Sequence, residues 1–200
     1  RRRHLAAPGV RLLAPLGRER APFVVGVPRP FARTLRRKAR AATLVRELDP
    51  DLLGLQETTG GQWEECRDAL GGDWDGAFGD RRDPKFPGSH GQSAFWRRDR
   101  FTETGRTVFW LSDTPQVPGS ITYANDWGAR IVLAVRLTDR AAARELVFAV
   151  AHFDTNPACW LPSTGVMTRE IERFAPGLPV IATGDFNCPA GSAAWRWLTG

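Results

Sequence analysis

Three apolar runs in this chain stop abruptly on charged or hydrogen-bonding residues, and they constrain the fold more than any bulk property. They are Asp51-Leu-Leu-Gly-Leu-Gln-Glu57, Leu146 to His152 followed by Phe153-Asp154, and Val180 to Thr183 followed by Gly184-Asp-Phe-Asn187. Each is short, apolar and bounded by polar or turn-forming residues, which fits a buried strand. Strands that end on one edge of a sheet bring distant sequence positions together. Glu57, His152, Asp154, Asp185 and Asn187 are therefore the residues most open to a functional role. Each alone has a plain structural alternative: a solvated rim carboxylate, a satisfied structural histidine, a common Gly-Asp turn. Their order and shared strand-end context weigh toward chemistry.

The rest of the chain supplies further elements. Residues 32–48 carry Leu35, Ala39, Ala42, Val45 and Leu48 at near-helical spacing, and Pro50 ends that pattern. Thr59 and Gln62 have the spacing of a capping box, so a helix is expected to start there and bury Trp63, Cys66 and Leu70. Residues 71–92 are rich in Gly, Asp and Pro and read as loop or hairpin turns. Strands are expected at Ser93–Arg97, Thr107–Leu111, Ile131–Leu137 and Leu146–His152, the last two joined by a turn at Asp139-Arg140. Thr164–Phe174 reads as helix, and Ser192 can cap a last helix holding Trp195 and Leu198. Helices and strands are mixed without strict alternation, so an α+β layered fold is expected rather than a doubly wound sheet.

Charge and cysteine usage narrow the classes. The formal net charge is +6 over 200 residues. The basic excess is concentrated in the first forty residues, where only Glu19 opposes the Arg and Lys side chains. Such an arm can attract polyanions, although a solvated surface is the plainer reading. Cys66, Cys159 and Cys188 fit neither a disulfide framework nor a metal-binding pair. No apolar run is long enough to span a membrane. The segment from Leu5 to Leu16 is a poor signal peptide, so the cytoplasm is favoured.

Carboxylates and amide oxygens suit Mg²⁺, which keeps several waters and shares its shell with substrate phosphate. An adjacent imidazole can donate a hydrogen bond to a phosphoryl oxygen as charge builds. From about Arg33 onward the chain resembles the endonuclease/exonuclease/phosphatase superfamily. The resemblance is carried by Asp49-Pro-Asp-Leu-Leu-Gly-Leu-Gln-Glu57, Ala94-Phe-Trp-Arg-Arg-Asp-Arg-Phe101, Phe109-Trp-Leu-Ser-Asp-Thr-Pro115 with Pro118-Gly-Ser120, Ala151-His-Phe-Asp154 and Thr183-Gly-Asp-Phe-Asn187. It implies a four-layer α/β sandwich of the deoxyribonuclease-like type, incomplete at its C-terminal end. It implies a hydrolase of phosphoester bonds that uses Mg²⁺, with Mn²⁺ as the alternative ion. Glu57 and Asp185 would lie on the metal side. Asp185 would also orient the attacking water, Asn187 would hold phosphate or the metal shell, and His152 would hydrogen-bond the scissile phosphate. The substrate would be a phosphoester, with nucleic acid among the candidates.

Three departures accompany the resemblance. The family's first-strand Asn has its nearest counterpart in Val10–Leu16, where Pro15 stands in its place. The bacterial members often carry a Glu before the Ala94–Arg97 strand, and His90 is the residue weighed as its replacement. The family's closing Asp-His pair is absent, since His4, His90 and His152 all follow other residues. The expected organisation is a basic segment over 1–30 and the family domain over 31–200, lacking its C-terminal part. The competing readings are a catalytically inactive domain that binds phosphorylated ligands or a protein partner, and an Arg-driven nucleic-acid binder that needs no metal. Loops 71–92 and 112–128 are expected to shape specificity.

Overall fold

A computed structural model describes residues 24–27, 43–85, 88, 90–122 and 124–199, with the backbone path alone for 24–27. Its strands are β1 (Val24–Val27), β2 (Leu52–Thr58), β3 (Trp74–Gly79), β4 (Gly91–Arg97), β5 (Phe101–Trp110), β6 (Ile131–Asp139), β7 (Arg144–His152) and β8 (Val180–Asp185). Residues 43–48 are helical (α1), followed by α2 (Gly60–Leu70), α3 (Pro157–Phe174) and α4 (Ala193–Thr199). The strands form two four-stranded sheets, in the orders β1-β2-β4-β3 and β5-β6-β7-β8. In each, one pair of strands is parallel, β1 with β2 and β7 with β8, and the rest run antiparallel.

Alternation along the strands explains the layering. Successive side chains point to opposite faces of a sheet. In β2, Leu52 joins Ala94, Trp96, Leu133, Val135, Phe148 and Val150 in the core between the sheets. Leu53 and Leu55 turn the other way, toward Phe95 and Trp74, with Trp63, Cys66 and Leu70 of α2 packed over them. In the second sheet, Val147, Ala149 and Ala151 of β7 face outward onto Met167 and Ile171 of α3. Helix, sheet, sheet and helix thus make the four layers of an α+β sandwich. Gly54 sets how closely the sheets approach, because a Cβ there would overlap Thr183 Oγ1 of β8.

Several elements differ from the sequence expectation. Trp74–Gly79 is a strand inside the segment read as loop, and it pairs with β4 along its whole length. Its two glycines and one Asp conceal the pattern, yet Gly76 is needed because a Cβ would collide with the Phe95 ring. Helix α3 begins at Pro157, seven residues before the expected Thr164, and carries Pro162 within it. Asn156 caps it, its side chain accepting from Ala158 N at 3.0 Å, and Pro157 suits a first turn that lacks N–H partners. Strand β1 lies within the segment read as a basic arm, while residues 10–16, weighed as the first strand, lie outside the described residues. So does residues 32–42 of the helix expected over 32–48. The capping box of α2 forms as expected, Gln62 N donating to Thr59 Oγ1 and Thr59 N to Gln62 Oε1. Trp63, Cys66 and Leu70 are half-buried there rather than fully buried.

Candidate functional site

The parallel pairing of β7 with β8 sets His152 opposite Asp185. The two strand ends are laced together beyond that point. Phe153 N donates to Asp185 O at 2.9 Å, and Asn187 Nδ2 donates to Phe153 O at 2.8 Å. The Phe153 and Phe186 rings meet edge to face, with centroids 5.1 Å apart. Asn187 adopts φ 50°, a left-handed conformation that Asn tolerates, and Asp185 Oδ1 accepts from its backbone N at 3.1 Å. The turn is thereby held by its own side chains.

Glu57 reaches the same place by a bulge. Gln56 pairs with Gln92 and Thr58 with Gly91, so β2 carries one extra residue, and Glu57 takes φ 60° there. A bulge breaks the alternation and re-aims the side chain, and Glu57 Oε1 lies 3.6 Å from His152 Nδ1. On the other side of the ring, Asp185 Oδ2 lies 3.9 Å from His152 Nε2. The structure therefore brings together Glu57, His152, Asp185 and Asn187 from three strand ends.

His152 is buried, and Arg81 Nη2 lies 3.2 Å from its Nδ1. A guanidinium has only donors, so Nδ1 accepts in this contact and the ring proton sits on Nε2, on the Asp185 side. Arg81 is itself buried, and its carbonyl accepts from Trp110 Nε1 at 2.6 Å. Arg82, the next residue, has φ 49°. Sequence reasoning missed Arg81, which lies in the Gly- and Asp-rich stretch and becomes visible only once β3 is recognised.

Asp154 plays a different part from its neighbours. Both its oxygens are used: Oδ1 accepts from Asn156 N (2.9 Å) and Asp126 N (3.4 Å), and Oδ2 from Trp127 N (3.3 Å) and Arg130 Nε (3.2 Å). This buried carboxylate organises the 124–130 loop and pairs with Arg130. Asp83 does the same from the other side, accepting from Ala129 N at 2.7 Å and Lys85 N at 2.8 Å. Gly128, at φ 83°, packs so tightly on Asp83 that a Cβ would overlap its carboxylate.

Buried polar atoms collect at this end of the sandwich. Gln92 is fully buried, and neither of its amide atoms has a hydrogen-bond partner among the described residues. The same holds for Gln56 Nε2, Arg130 Nη1 and Thr183 Oγ1. Unmet buried polar groups each cost about 1–3 kcal/mol, so such a cluster marks a place for water or ligand. His90, weighed as a Glu replacement, is exposed, whereas Gln92 two residues on stands beside Gln56 in the sheet. Cys188 is half-buried, and burial pushes its thiol above the ordinary range, which keeps it protonated.

No group of three His, Cys, Asp or Glu side chains converges tightly enough to hold a metal ion among the described residues. The donors that are present, two carboxylates with amide groups at hand, are hard oxygen ligands. A hard divalent cation needs one or two carboxylates and completes its shell with water and substrate oxygens, so the set fits such an ion.

The sequence profile of the endonuclease/exonuclease/phosphatase family matches residues 16–199. The chain belongs to that family. Among solved structures, a family protein of Bacteroides vulgatus shares 26% identity at TM-score 0.73, covering 81% of this chain and 61% of its own. The mannosyl-6-phosphatase of Bacteroides thetaiotaomicron shares 25% at TM-score 0.74, covering 88% of this chain and 69% of its own. The human Nocturnin catalytic domain, solved with a sulfate anion, shares 18% at TM-score 0.60, covering 78% of this chain and 59% of its own, a likeness of fold. The chain thus spans about six tenths of the length of the first of these relatives. No curated protein matches it. No helix among the described residues is long and apolar enough to cross a membrane.

Proposed function

We propose that this endonuclease/exonuclease/phosphatase domain is built for metal-dependent hydrolysis of phosphoester bonds. The observation that carries the reading is His152, buried between Glu57 and Asp185 at three converging strand ends with Arg81 against its ring. Glu57 and Asp185 would hold Mg²⁺ or Mn²⁺, with the amide groups of Gln56 or Asn187 near the shell. When bound, that ion would neutralise phosphate charge and stabilise the leaving oxygen.

The chain's own residues account for the other steps. His152 Nε2–H donates to a non-bridging phosphoryl oxygen, and Arg81 on Nδ1 keeps the ring in the tautomer that can do so. Arg81 adds positive charge beside the phosphate. Asp185 orients the attacking water and takes its proton as oxygen attacks phosphorus and the ester P–O bond breaks. Asn187, tethered to Phe153 O, presents its amide at a fixed position. The relative named mannosyl-6-phosphatase supports a phosphomonoester as substrate.

Turnover of bis(p-nitrophenyl) phosphate and p-nitrophenyl phosphate, with Mg²⁺ and with chelator, tests the reading. It requires product formation that depends on the metal and falls at least ~100-fold in Asp185→Ala and His152→Ala. Turnover that ignores chelator, or survives Asp185→Ala, would overturn it. Phosphate-ester binding with no turnover under any metal would point instead to binding without catalysis.

A further inference from the structure

We infer that Trp127 is a stacking platform at the mouth of this site, selecting phosphoesters whose organic group presents a flat ring face. Trp127 is 60% exposed, more than any other large apolar side chain among the described residues. Its surroundings do not fit a casual surface residue. The Trp127 backbone N donates to Asp154 Oδ2 at 3.3 Å, and Asp126 N reaches Oδ1 of the same carboxylate. Beyond the indole, Ala129 N is fixed on Asp83, and Asn125 Nδ2 donates to Gly128 O at 2.7 Å. Before it, Asn156 Nδ2 donates to Ala124 O at 2.8 Å. Five hydrogen bonds and the Gly128 contact with Asp83 thus hold residues 124–129 in a single shape. A large aromatic group is displayed on a rigid frame, which lowers the ordering cost of binding against it.

The frame is also part of the site. Asp154, which holds Trp127, lies two residues past His152, a span of about 7 Å of extended chain. Arg130, three residues past Trp127, binds the same carboxylate and leaves a buried Nη1 without a partner among the described residues. A phosphate seated at His152 would therefore project its organic group at the edge of the sandwich on which the Trp127 frame is anchored. Rings stack on aromatic side chains regardless of their hydrogen-bonding edges, so the platform selects by shape. A planar nucleobase offers its π-face to such a platform and a puckered sugar ring its C–H face, and the test separates them.

This inference rests on the phosphoester reading of the site. The test measures, by calorimetry with Mg²⁺ present, the affinity of the 200-residue chain for glycerol 3-phosphate, glucose 6-phosphate and adenosine monophosphate. At least one ring-bearing ester is expected to bind roughly 5- to 100-fold more tightly than the acyclic one. That ratio should fall to near one in Trp127→Ala and persist in Trp127→Phe. Preference for adenosine monophosphate alone would assign the platform to a base, and preference for glucose 6-phosphate alone to a sugar. Equal affinity for all three esters, or a ring preference that survives Trp127→Ala, overturns the platform while leaving the phosphoester site intact. Absence of binding by every ester would sink the phosphoester reading and the platform with it.

Discussion

The two ends of this sandwich are built from the same strands and follow opposite electrostatic rules. At the end where β2 begins and β6 finishes, Arg100 Nη1 meets Asp51 Oδ2 at 2.9 Å, and Arg100 Nη2 meets Asp139 Oδ2 at 2.8 Å. Asp139 Oδ1 also takes Ala141 N at 3.1 Å and Ala142 N at 3.3 Å. Charges are neutralised there and polar atoms are paired. At the other end, where β2, β7 and β8 finish, two carboxylates flank one imidazole, and buried amide atoms of Gln56 and Gln92 lack partners among the described residues. Bulges and non-glycine residues at positive φ occur at both ends, with Asp49, Ala143 and the Glu103–Gly105 shift at the first and Glu57 and Asn187 at the second, so the unmet buried polar atoms are what set the functional end apart. Such groups persist where the surrounding structure holds them and where a ligand has use for them.

If that contrast is right, substitutions at the two ends should separate stability from activity. The largest effect belongs to the functional end: Glu57→Gln should lower metal-dependent phosphoester turnover by ~100-fold or more while leaving the melting temperature within a few degrees. Arg100→Ala should do the reverse. Breaking a buried pair by removing one partner costs about 3–5 kcal/mol, or roughly 10 °C in Tm for a domain this size. Metal binding per folded molecule should be unchanged, which calorimetry below the new midpoint can check. A fold loss on Glu57→Gln, or a binding loss on Arg100→Ala, would break the comparison.

A smaller effect sharpens it. Gln92→Leu removes a buried amide with no partner among the described residues, so it should be neutral or stabilising by about 1 kcal/mol while slowing turnover. Chemical denaturation and initial rates read the two quantities separately. A marked loss of stability would mean that Gln92 is tied into the scaffold. The smallest effect concerns Cys188, whose thiol burial pushes upward. A raised thiol pKa favours the folded state below the ordinary thiol range, and that contribution is lost as pH rises through the folded value. Alkylation of Cys188 by iodoacetamide should therefore be slow near neutral pH and accelerate only in clearly alkaline solution. Rapid modification at pH 7 would contradict the burial.

The parts of the fold legible in the sequence are those where a local signal and the tertiary environment agree. The runs in β2, β6, β7 and β8 are apolar because both faces are covered, and Thr59 with Gln62 forms the cap its spacing predicts. Strand β3 was hidden because Gly76 is required by close packing on Phe95 and Gly79 sits tightly against Val108 and Leu133, and composition cannot distinguish such glycines from those of a loop. The N-terminal half of α3 was hidden by Pro162, a helix breaker that the helix accommodates early in its length. In the site, Glu57, His152, Asp185 and Asn187 were legible because each follows an apolar run. Arg81 and Gln92 were not, since their significance lies in burial against residues far away in the chain. Arg130 left a faint signal, a charged residue directly before the apolar run of β6. Asp154 carried the same strand-end signal as its neighbours but serves the loop.

The proposed metal-phosphate site is tested most directly by Mn²⁺ titration followed through the His152 ring signals in NMR, which three histidines make simple to assign. The account predicts that Mn²⁺ broadens the His152 signals selectively, that excess Mg²⁺ restores them, and that Glu57→Gln combined with Asp185→Asn abolishes the broadening. Unaffected His152 signals, or broadening that persists in the double variant, would contradict it.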